Sequence, residues 1–207
     1  MKTVDDASVR QVVRSSPATY VGNIADGTAL ENMLCIVLNE FVHGANGLRP
    51  RQIKVSVRGD LSFLVESDVS EMFIIRSSGG RATIDPGLTA LHVRDAILEP
   101  RFGTSDGIAV PNILADYLLL ESGSPEGTYV QDYRQGEALG PLQLTGLPYG
   151  GSRVTLFPDK AIFAEARLDV PRLVQRIKGD LAPTDRVTIA IKDEATGQVV
   201  SLGSAAR

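Results

Sequence analysis

A carboxylate and an imidazole stand three residues apart in the most helix-like part of the chain. Glu40 and His43 lie in the stretch 30–47, and helical residues three or four apart are neighbours on one face. A partly desolvated carboxylate beside an imidazole is typical of general acid–base chemistry. The structural alternative is a solvated glutamate and a histidine cation that favours the negative end of the helix dipole.

The helix that must position this pair carries its own apolar stripe. Apolar residues recur at spacings of three and four: Leu30, Met33, Leu34, Val37, Leu38 and Phe41. This stripe must face a core, and a second face then carries Ile36 and Asn39 beside Glu40 and His43. We expect Thr28 and Glu31 to form a capping box at the head of the helix. The glycine-rich residues 44–47 should end it.

The rest of the chain mixes alternating apolar segments with separate helices. Strands are predicted at 53–58, 61–65, 72–75, 128–134, 142–146, 153–157 and 187–191, and further helices at 88–98, 111–120 and 170–181. Residues 76–87 are predicted as loop, and another loop should begin at 15–17. This order favours an α+β fold with a mostly antiparallel sheet and helices on one face.

Composition limits the classes of function. The chain has 207 residues, 43% hydrophobic, and a net charge of −4, which fits an N-terminal arm at 1–16 and a single domain at 17–207. An acidic pI near 5.2 without a basic run argues against binding to nucleic acid or to a membrane. One cysteine, Cys35, no signal peptide and no long apolar run predict a cytoplasmic protein. We predict neither a metal site nor a cofactor.

Three segments share residues, order and spacing with one known family. They are PATYVG with DGT within 17–28, YRQG with GPL and a glycine within 133–146, and GSRVTLFPD with IF within 151–163. Together they resemble the N-terminal ATPase domain of the DNA gyrase B subunit and its topoisomerase IV relatives, in the GHKL superfamily. The match extends over roughly residues 14–195. The resemblance implies a two-layer α/β sandwich of the GHKL, or Bergerat, type, with a nucleotide site between helices and sheet.

The resemblance also implies residue roles on the central helix, from which this sequence departs. When the helix is registered through Met33 and Val37, Ile36 stands where the family has the glutamate that activates water. Glu40 stands where the family has an asparagine that holds magnesium. Because an isoleucine cannot accept a proton, the family's hydrolytic step has no base on this helix.

The nucleotide motifs outside the helix depart as well. The family's Asp-x-Gly-x-Gly motif, which reads the adenine amine, corresponds to VESDVS at 65–70, without a glycine. The lid motif, whose glycines let backbone N–H groups wrap phosphates, is reduced to GTSDGIAV at 103–110. Ser152 matches the family's hydroxyl residue near the base. We therefore expect a retained fold without ATP hydrolysis.

Three functions remain open, and the third of them is a true ATPase that uses a displaced base. In the first, the former ATP pocket binds a non-nucleotide small organic molecule and acts as an isomerase, cyclase or lyase in a specialised biosynthetic pathway. Glu40 and His43 would be catalytic, Asp68 or Glu66 would approach from the sheet, and His92 is a further candidate. The ligand contacts would be Ile36, Asn39, Ser67, Asp68 and Ser152. In the second, the chain is a non-catalytic pseudo-ATPase that binds a nucleotide, a gyrase inhibitor or a gyrase-like partner. Because the family's N-terminal arm exchanges between protomers, the resemblance also raises a homodimer.

Overall fold

A layer of helices covers one face of a mixed β-sheet. The computed structural model describes residues 6–43, 47–84, 107–146, 148–164, 166–180 and 187–203. The described helices are α1 (Asp6–Ser15), α2 (Pro17–Val21), α3 (Thr28–His43), α4 (Ala109–Leu114), α5 (Lys160–Phe163) and α6 (Val170–Asp180). The described strands are β1 (Gln52–Val57), β2 (Phe63–Ser67), β3 (Ile74–Arg76), β4 (Ala82–Ile84), β5 (Ala115–Ser124), β6 (Gly127–Arg134), β7 (Glu137–Ala138), β8 (Gln143–Thr145), β9 (Ser152–Pro158), β10 (Thr188–Asp193) and β11 (Val199–Leu202).

The main sheet brings distant parts of the chain side by side. Within the described residues its strand order is β11-β10-β1-β2-β9-β5-β6-β7, with β8 also paired to β6. The β1–β10 pair is parallel and the other pairs of this sheet are antiparallel. The strands β3 and β4 form a separate small hairpin. The centre of the sheet therefore consists of β2, β9 and β5.

Alternation along these strands separates a core face from an outer face. Every second residue of β9 is buried, and β2 has the same pattern, as expected for strands with one covered face. The buried hydrophobic side chains of α1, α3, α4 and α6 belong to the same apolar cluster as the inward hydrophobic residues of the strands. The α+β class with a mostly antiparallel sheet is therefore confirmed. Among the described helices, none has the length and apolar character that crossing a bilayer requires.

The central helix α3 is held firmly at its N-terminus. The Asp26 carboxylate accepts a hydrogen bond from the Thr28 N–H (2.9 Å), and hydrogen bonds from Thr28 lower the pKa of Asp26. Glu31 is only 1% exposed and pairs with Arg172 Nε of α6 at 2.7 Å. The expected capping box is therefore wrong, because Asp26 caps the first turn and the Glu31 carboxylate bonds to another helix. The predicted end holds, since α3 stops at His43.

The N-terminal helix α1 packs on the body of its own chain. Val9 and Val13 are buried in the common core, and the Arg14 guanidinium bonds to the Asp159 carboxylate and to the Ile113 carbonyl. Burial raises the pKa of Asp159, but the hydrogen bonds from Arg14 and the backbone outweigh it and hold this pKa below its usual value. The division at residue 16 and the homodimer stay predictions.

Several predicted elements differ in the structure. The helix expected at 111–120 is wrong: α4 ends at Leu114, and strand β5 begins at Ala115. The run of leucines at 118–120 suits a buried strand as well as a helix, and pairing with β6 and β9 decides between them. The loop expected from 15–17 is helix α2, and β4, β7 and β11 were not predicted. The predicted helix 88–98, with His92, lies outside the described residues.

A glycine beside α3 offers a test of how tightly this helix is seated. Gly27 has φ of +82°, and a Cβ there would lie 1.7 Å from the Arg167 carbonyl oxygen. Gly47, with φ of +75°, has nothing within 4 Å of its Cβ position. Both alanine substitutions incur the left-handed backbone cost of about 1–2 kcal/mol. We expect Gly27→Ala to lower the free energy of unfolding by about 1–3 kcal/mol more than Gly47→Ala. Urea denaturation measures both, and equal losses would show that the contact with Arg167 yields easily.

Candidate functional site

The second face of α3 is only partly covered by the rest of the chain. Ile36, Asn39 and Glu40 are half-buried, whereas His43, the last residue of the helix, is exposed. Ile36 packs against the apolar core. The helix therefore presents one apolar and three polar side chains along one face, with accessibility increasing toward its C-terminus.

Three buried hydroxyl groups lie side by side on the sheet. Ser67 of β2 is in register with Ser152 of β9, and Ser152 is in register with Ser122 of β5. Their exposures are 6%, 0% and 0%. The Ser122 and Ser152 hydroxyl oxygens are 2.7 Å apart and share a hydrogen bond. We call these three residues the serine row.

Met72 lies against the serine row and supplies it with partners. The Ser67 hydroxyl donates to Met72 Sδ at 3.0 Å, and the Met72 N–H donates to Ser152 Oγ at 3.3 Å. Met72 itself is fully buried. The serine row is therefore satisfied by protein atoms, as buried polar groups must be.

The turn that carries Met72 forms without a glycine. Glu71 adopts φ of +59°, a backbone conformation that costs a side-chain-bearing residue free energy. Its N–H donates to the Gly123 carbonyl at 3.1 Å, and its carboxylate pairs with Arg76 at 2.6 Å. Arg76 also lies over the Tyr129 ring, 5.6 Å from its centroid. The turn is thus fixed to β5 and to the β3–β4 hairpin.

The next residue of the same turn reaches the helix. The Phe73 ring packs edge-on against Phe41 of α3, with centroids 5.2 Å apart and planes at 73°. Phe73 is 2% exposed and Phe41 fully buried. Phe41 follows Glu40 directly, so the turn connects the serine row to the part of α3 that carries the candidate acid–base pair.

The two candidate carboxylates of the sheet side have other surroundings. Asp68 is exposed, and its carboxylate accepts from the N–H groups of Arg51 (3.0 Å) and Gln52 (3.2 Å), which ties it to the start of β1. Its role in ligand binding stays a prediction. Glu66 lies on the outer face, 3.7 Å from Lys54 Nζ. The expectation that Glu66 reaches the site from the sheet is wrong, because it alternates with the inward residues of β2.

A charged row runs along that outer face, directly behind the serine row. Arg153 is in register with Glu66 and Glu121, and its guanidinium bonds to both oxygens of Glu121 at 2.5 and 2.6 Å. The Tyr149 ring stacks on the same guanidinium at 4.6 Å. The strong charges of the central strands therefore lie outside, and the inward side carries neutral hydroxyls among apolar side chains.

These side chains do not fit the nucleotide chemistry that the resemblance implies. Ile36 offers no oxygen to activate water. In residues 65–70, which the resemblance matches to the family's adenine-reading motif, the inward polar side chain is the neutral Ser67. Of the lid stretch 103–110, the described part begins at Gly107, and Ile108 to Val110 are buried at the start of α4. Among the described residues, no group of three or more histidine, cysteine, aspartate or glutamate side chains is placed to hold a metal ion. Binding of an organic molecule at this face, with proton transfer by Glu40 and His43, stays a prediction.

Sequence reasoning missed two residues of this site. Ser122 lies just beyond the segment 111–120 that was predicted as a helix, and Met72 was assigned to a strand that in fact begins at Ile74. Ser122 joins the site through the register between β5 and β9, and Met72 joins it through hydrogen bonds with Ser67 and Ser152. The sequence did contain one signal for this part of the site, the two glycines Gly123 and Gly151. A Cβ on Gly123 would lie 1.6 Å from the Tyr149 carbonyl oxygen, so the backbone approaches closely there.

The chain is similar in sequence to the B subunits of gyrase and topoisomerase IV. No protein-family model matches the chain. It is 24% identical over 193 residues to the type 2 topoisomerase B subunit of Aquifex aeolicus, covering 90% of this chain. It is 25% identical over 199 residues to the DNA gyrase B subunit of Caulobacter vibrioides, covering 87%. It is 23% identical over 197 residues to the DNA topoisomerase 4 B subunit of Streptococcus pneumoniae, covering 91%.

A solved structure has the same fold. The 43K ATPase domain of Thermus thermophilus gyrase B, in complex with an aminocoumarin, superposes with a TM-score of 0.72 at 21% identity, covering 94% of this chain and 51% of that one. The chain spans 24–30% of the length of the three sequence relatives. The similarity is distant homology to the ATPase domain of the gyrase and topoisomerase IV B subunits, and the predicted GHKL-type fold is confirmed.

The serine row makes a measurable prediction. Ser152→Ala removes the partner of both the Ser122 hydroxyl and the Met72 N–H, so we expect it to lower the free energy of unfolding by about 1–3 kcal/mol. Ser122→Ala and the double variant complete a cycle in urea denaturation. The double variant should cost at least about 0.5 kcal/mol less than the sum of the single changes, because they share one hydrogen bond. Ser201→Ala, exposed on β11, is the control. Strict additivity would mean that the two hydroxyls do not interact.

Proposed function

We propose that this chain is an ATP-independent relative of the gyrase B ATPase domain that acts on a small organic molecule other than a nucleotide. The site lies between α3 and the sheet. One observation carries the proposal: Ile36, half-buried and packed on the core, occupies the helix position at which the family requires a proton-accepting carboxylate. An apolar side chain there favours an organic ligand over an attacking water.

The chemistry proposed is proton transfer by Glu40 and His43. The Glu40 carboxylate takes a proton from a carbon of the ligand, and the His43 imidazolium delivers a proton to another atom of the same molecule. The two residues then exchange protons with solvent, which the exposure of His43 allows. This sequence needs no oxidant, metal or nucleotide, and it suits an isomerisation, a cyclisation or an elimination in a specialised biosynthetic pathway.

The relatives support a ligand of this class. The matched gyrase B domain from Thermus thermophilus holds an aminocoumarin, which is a small organic molecule and not a nucleotide. A fold that binds such a compound in one protein can be specialised to bind one as a substrate in another. Function then depends on the residues of the site and not on the fold alone.

A second candidate is a non-catalytic binding module, a pseudo-ATPase that holds a nucleotide, a gyrase inhibitor or a gyrase-like partner. The exposure of His43 favours it, since an imidazole in water contributes less to catalysis than one in an enclosed site. The two candidates differ in whether the bound molecule undergoes proton exchange.

The loss of nucleotide chemistry is tested directly. The purified chain is incubated with magnesium and about 1 mM ATP. We expect no phosphate release above a protein-free blank and no rise in the melting temperature of the chain. A ligand at about 100 times its Kd would stabilise the folded state by about 2.7 kcal/mol, so binding would be seen. Phosphate release by the purified chain would overturn the proposal. Stabilisation by ATP without release would favour the binding module.

The acid–base pair is tested by isotope exchange. Native mass spectrometry first identifies the molecule that co-purifies with the protein, and that molecule is then incubated with protein in deuterated water. We expect deuterium to enter a carbon position, and Glu40→Gln to slow this at least about 100-fold, the usual contribution of a general base.

The matched control for that substitution is Glu194→Gln. Glu194 is a surface glutamate that pairs with Lys192 at 2.7 Å, and its variant should exchange deuterium at the wild-type rate. Unchanged exchange in Glu40→Gln would remove Glu40 from the mechanism. No exchange by the wild-type protein would favour binding without catalysis.

A further inference from the structure

We propose that Met72 determines the ligand specificity of this site by occupying the space that a planar polar ring, such as a purine, would take above the sheet. Met72 and Phe73 together are called the plug. This inference rests on the proposed function, because it specifies which molecules the sheet side excludes.

The hydroxyls of the serine row are already engaged with other protein atoms. A purine edge is recognised by donors and acceptors that face it, and the inward side of β2, β9 and β5 has three hydroxyls in one row. Each of them is bonded to protein: Ser122 to Ser152, Ser152 to the Met72 N–H, and Ser67 to Met72 Sδ. A ring that binds to these hydroxyls must first displace the Met72 side chain, which is fully buried.

Contacts from three elements hold the plug in place. From the sheet, the Glu71 N–H is bonded to the Gly123 carbonyl. From the β3–β4 hairpin, Arg76 pairs with the Glu71 carboxylate. From the helix, Phe41 packs on Phe73 at 5.2 Å between centroids. Because these contacts come from three different elements, the turn is fixed on both sides of Met72, and the side chain is not a freely swinging group.

The engaged hydroxyls of the serine row indicate the class of ligand. With the three hydroxyls of the serine row bonded to protein atoms, none of them is left to recognise a bound molecule. Polar recognition is then left to the α3 face, where Asn39, Glu40 and His43 lie. The ligand is accordingly an organic molecule whose polar, proton-bearing end meets the helix and whose remaining surface needs no hydrogen bonds from the sheet.

The experiment removes the plug and measures binding of adenosine, which has a purine ring and no phosphates. Isothermal titration is carried out on the wild-type chain, on Met72→Ala and on Met33→Ala. Met33 is also fully buried but belongs to the apolar stripe of α3, so its variant controls for general loosening. We expect Met72→Ala to bind adenosine at least about tenfold more tightly than the wild-type chain. Adding Ser152→Ala to Met72→Ala should abolish that gain, and Met33→Ala should show none.

The outcomes separate this inference from the proposed function. Equally tight binding of adenosine by the wild-type chain would overturn both. Folded Met72→Ala protein that gains no binding, or Met33→Ala that gains as much, would overturn the plug and leave the proposed function standing. If Met72→Ala does not unfold cooperatively in urea, Met72→Val leaves a smaller gap and is judged by the same criterion.

Discussion

The packing of α3 across the inward side of the central strands is the constraint on which the rest of the structure depends. The apolar stripe of this helix is fully buried from Leu30 to Phe41, so its rotation about its own axis is fixed. Its N-terminus is fixed as well, because Glu31 is paired with Arg172 and Gly27 lies against the Arg167 carbonyl. A helix held in this way can present only one set of side chains to the space beside the sheet. The side chains of the candidate site are therefore those at four positions of α3 and those that the sheet places opposite them.

Much of the fold follows from local patterns that the sequence displays. The stripe of α3, the alternation in β1 and β9 and the amphipathic α6 are all visible in periodicity alone, and each is observed. The segment after Pro111 is different, because its leucines form a continuous run with no period. There the outcome depends on β5 lying between β6 and β9, which is a tertiary fact. Short edge elements such as β7 depend on pairing in the same way.

The site is predictable to a smaller extent, and for a related reason. Residues on α3 are grouped by helical geometry, so Ile36, Asn39, Glu40 and His43 could be placed together from the sequence. The serine row joins residues from three strands whose registers are set over long sequence separations. Ser122 and Met72 therefore became visible only in three dimensions. Even the turn at Glu71 escapes a sequence rule, since it takes a positive φ without a glycine and relies on its contacts with Gly123 and Arg76.

The chemistry of Ser67 is best understood together with that of Met72, its hydrogen-bond partner. The resemblance matches residues 65–70 to the gyrase family's motif that reads the adenine amine, and the charge of an aspartate in that motif has a partner only while the amine is bound. An ionised carboxylate buried without such a partner would be costly, whereas a hydroxyl needs a single modest acceptor. Met72 Sδ is such an acceptor at 3.0 Å, and a flexible thioether fills an irregular gap well. The Ser67 hydroxyl and the Met72 thioether thus satisfy each other without a ligand, and the methionine side chain fills the space beside the serine row.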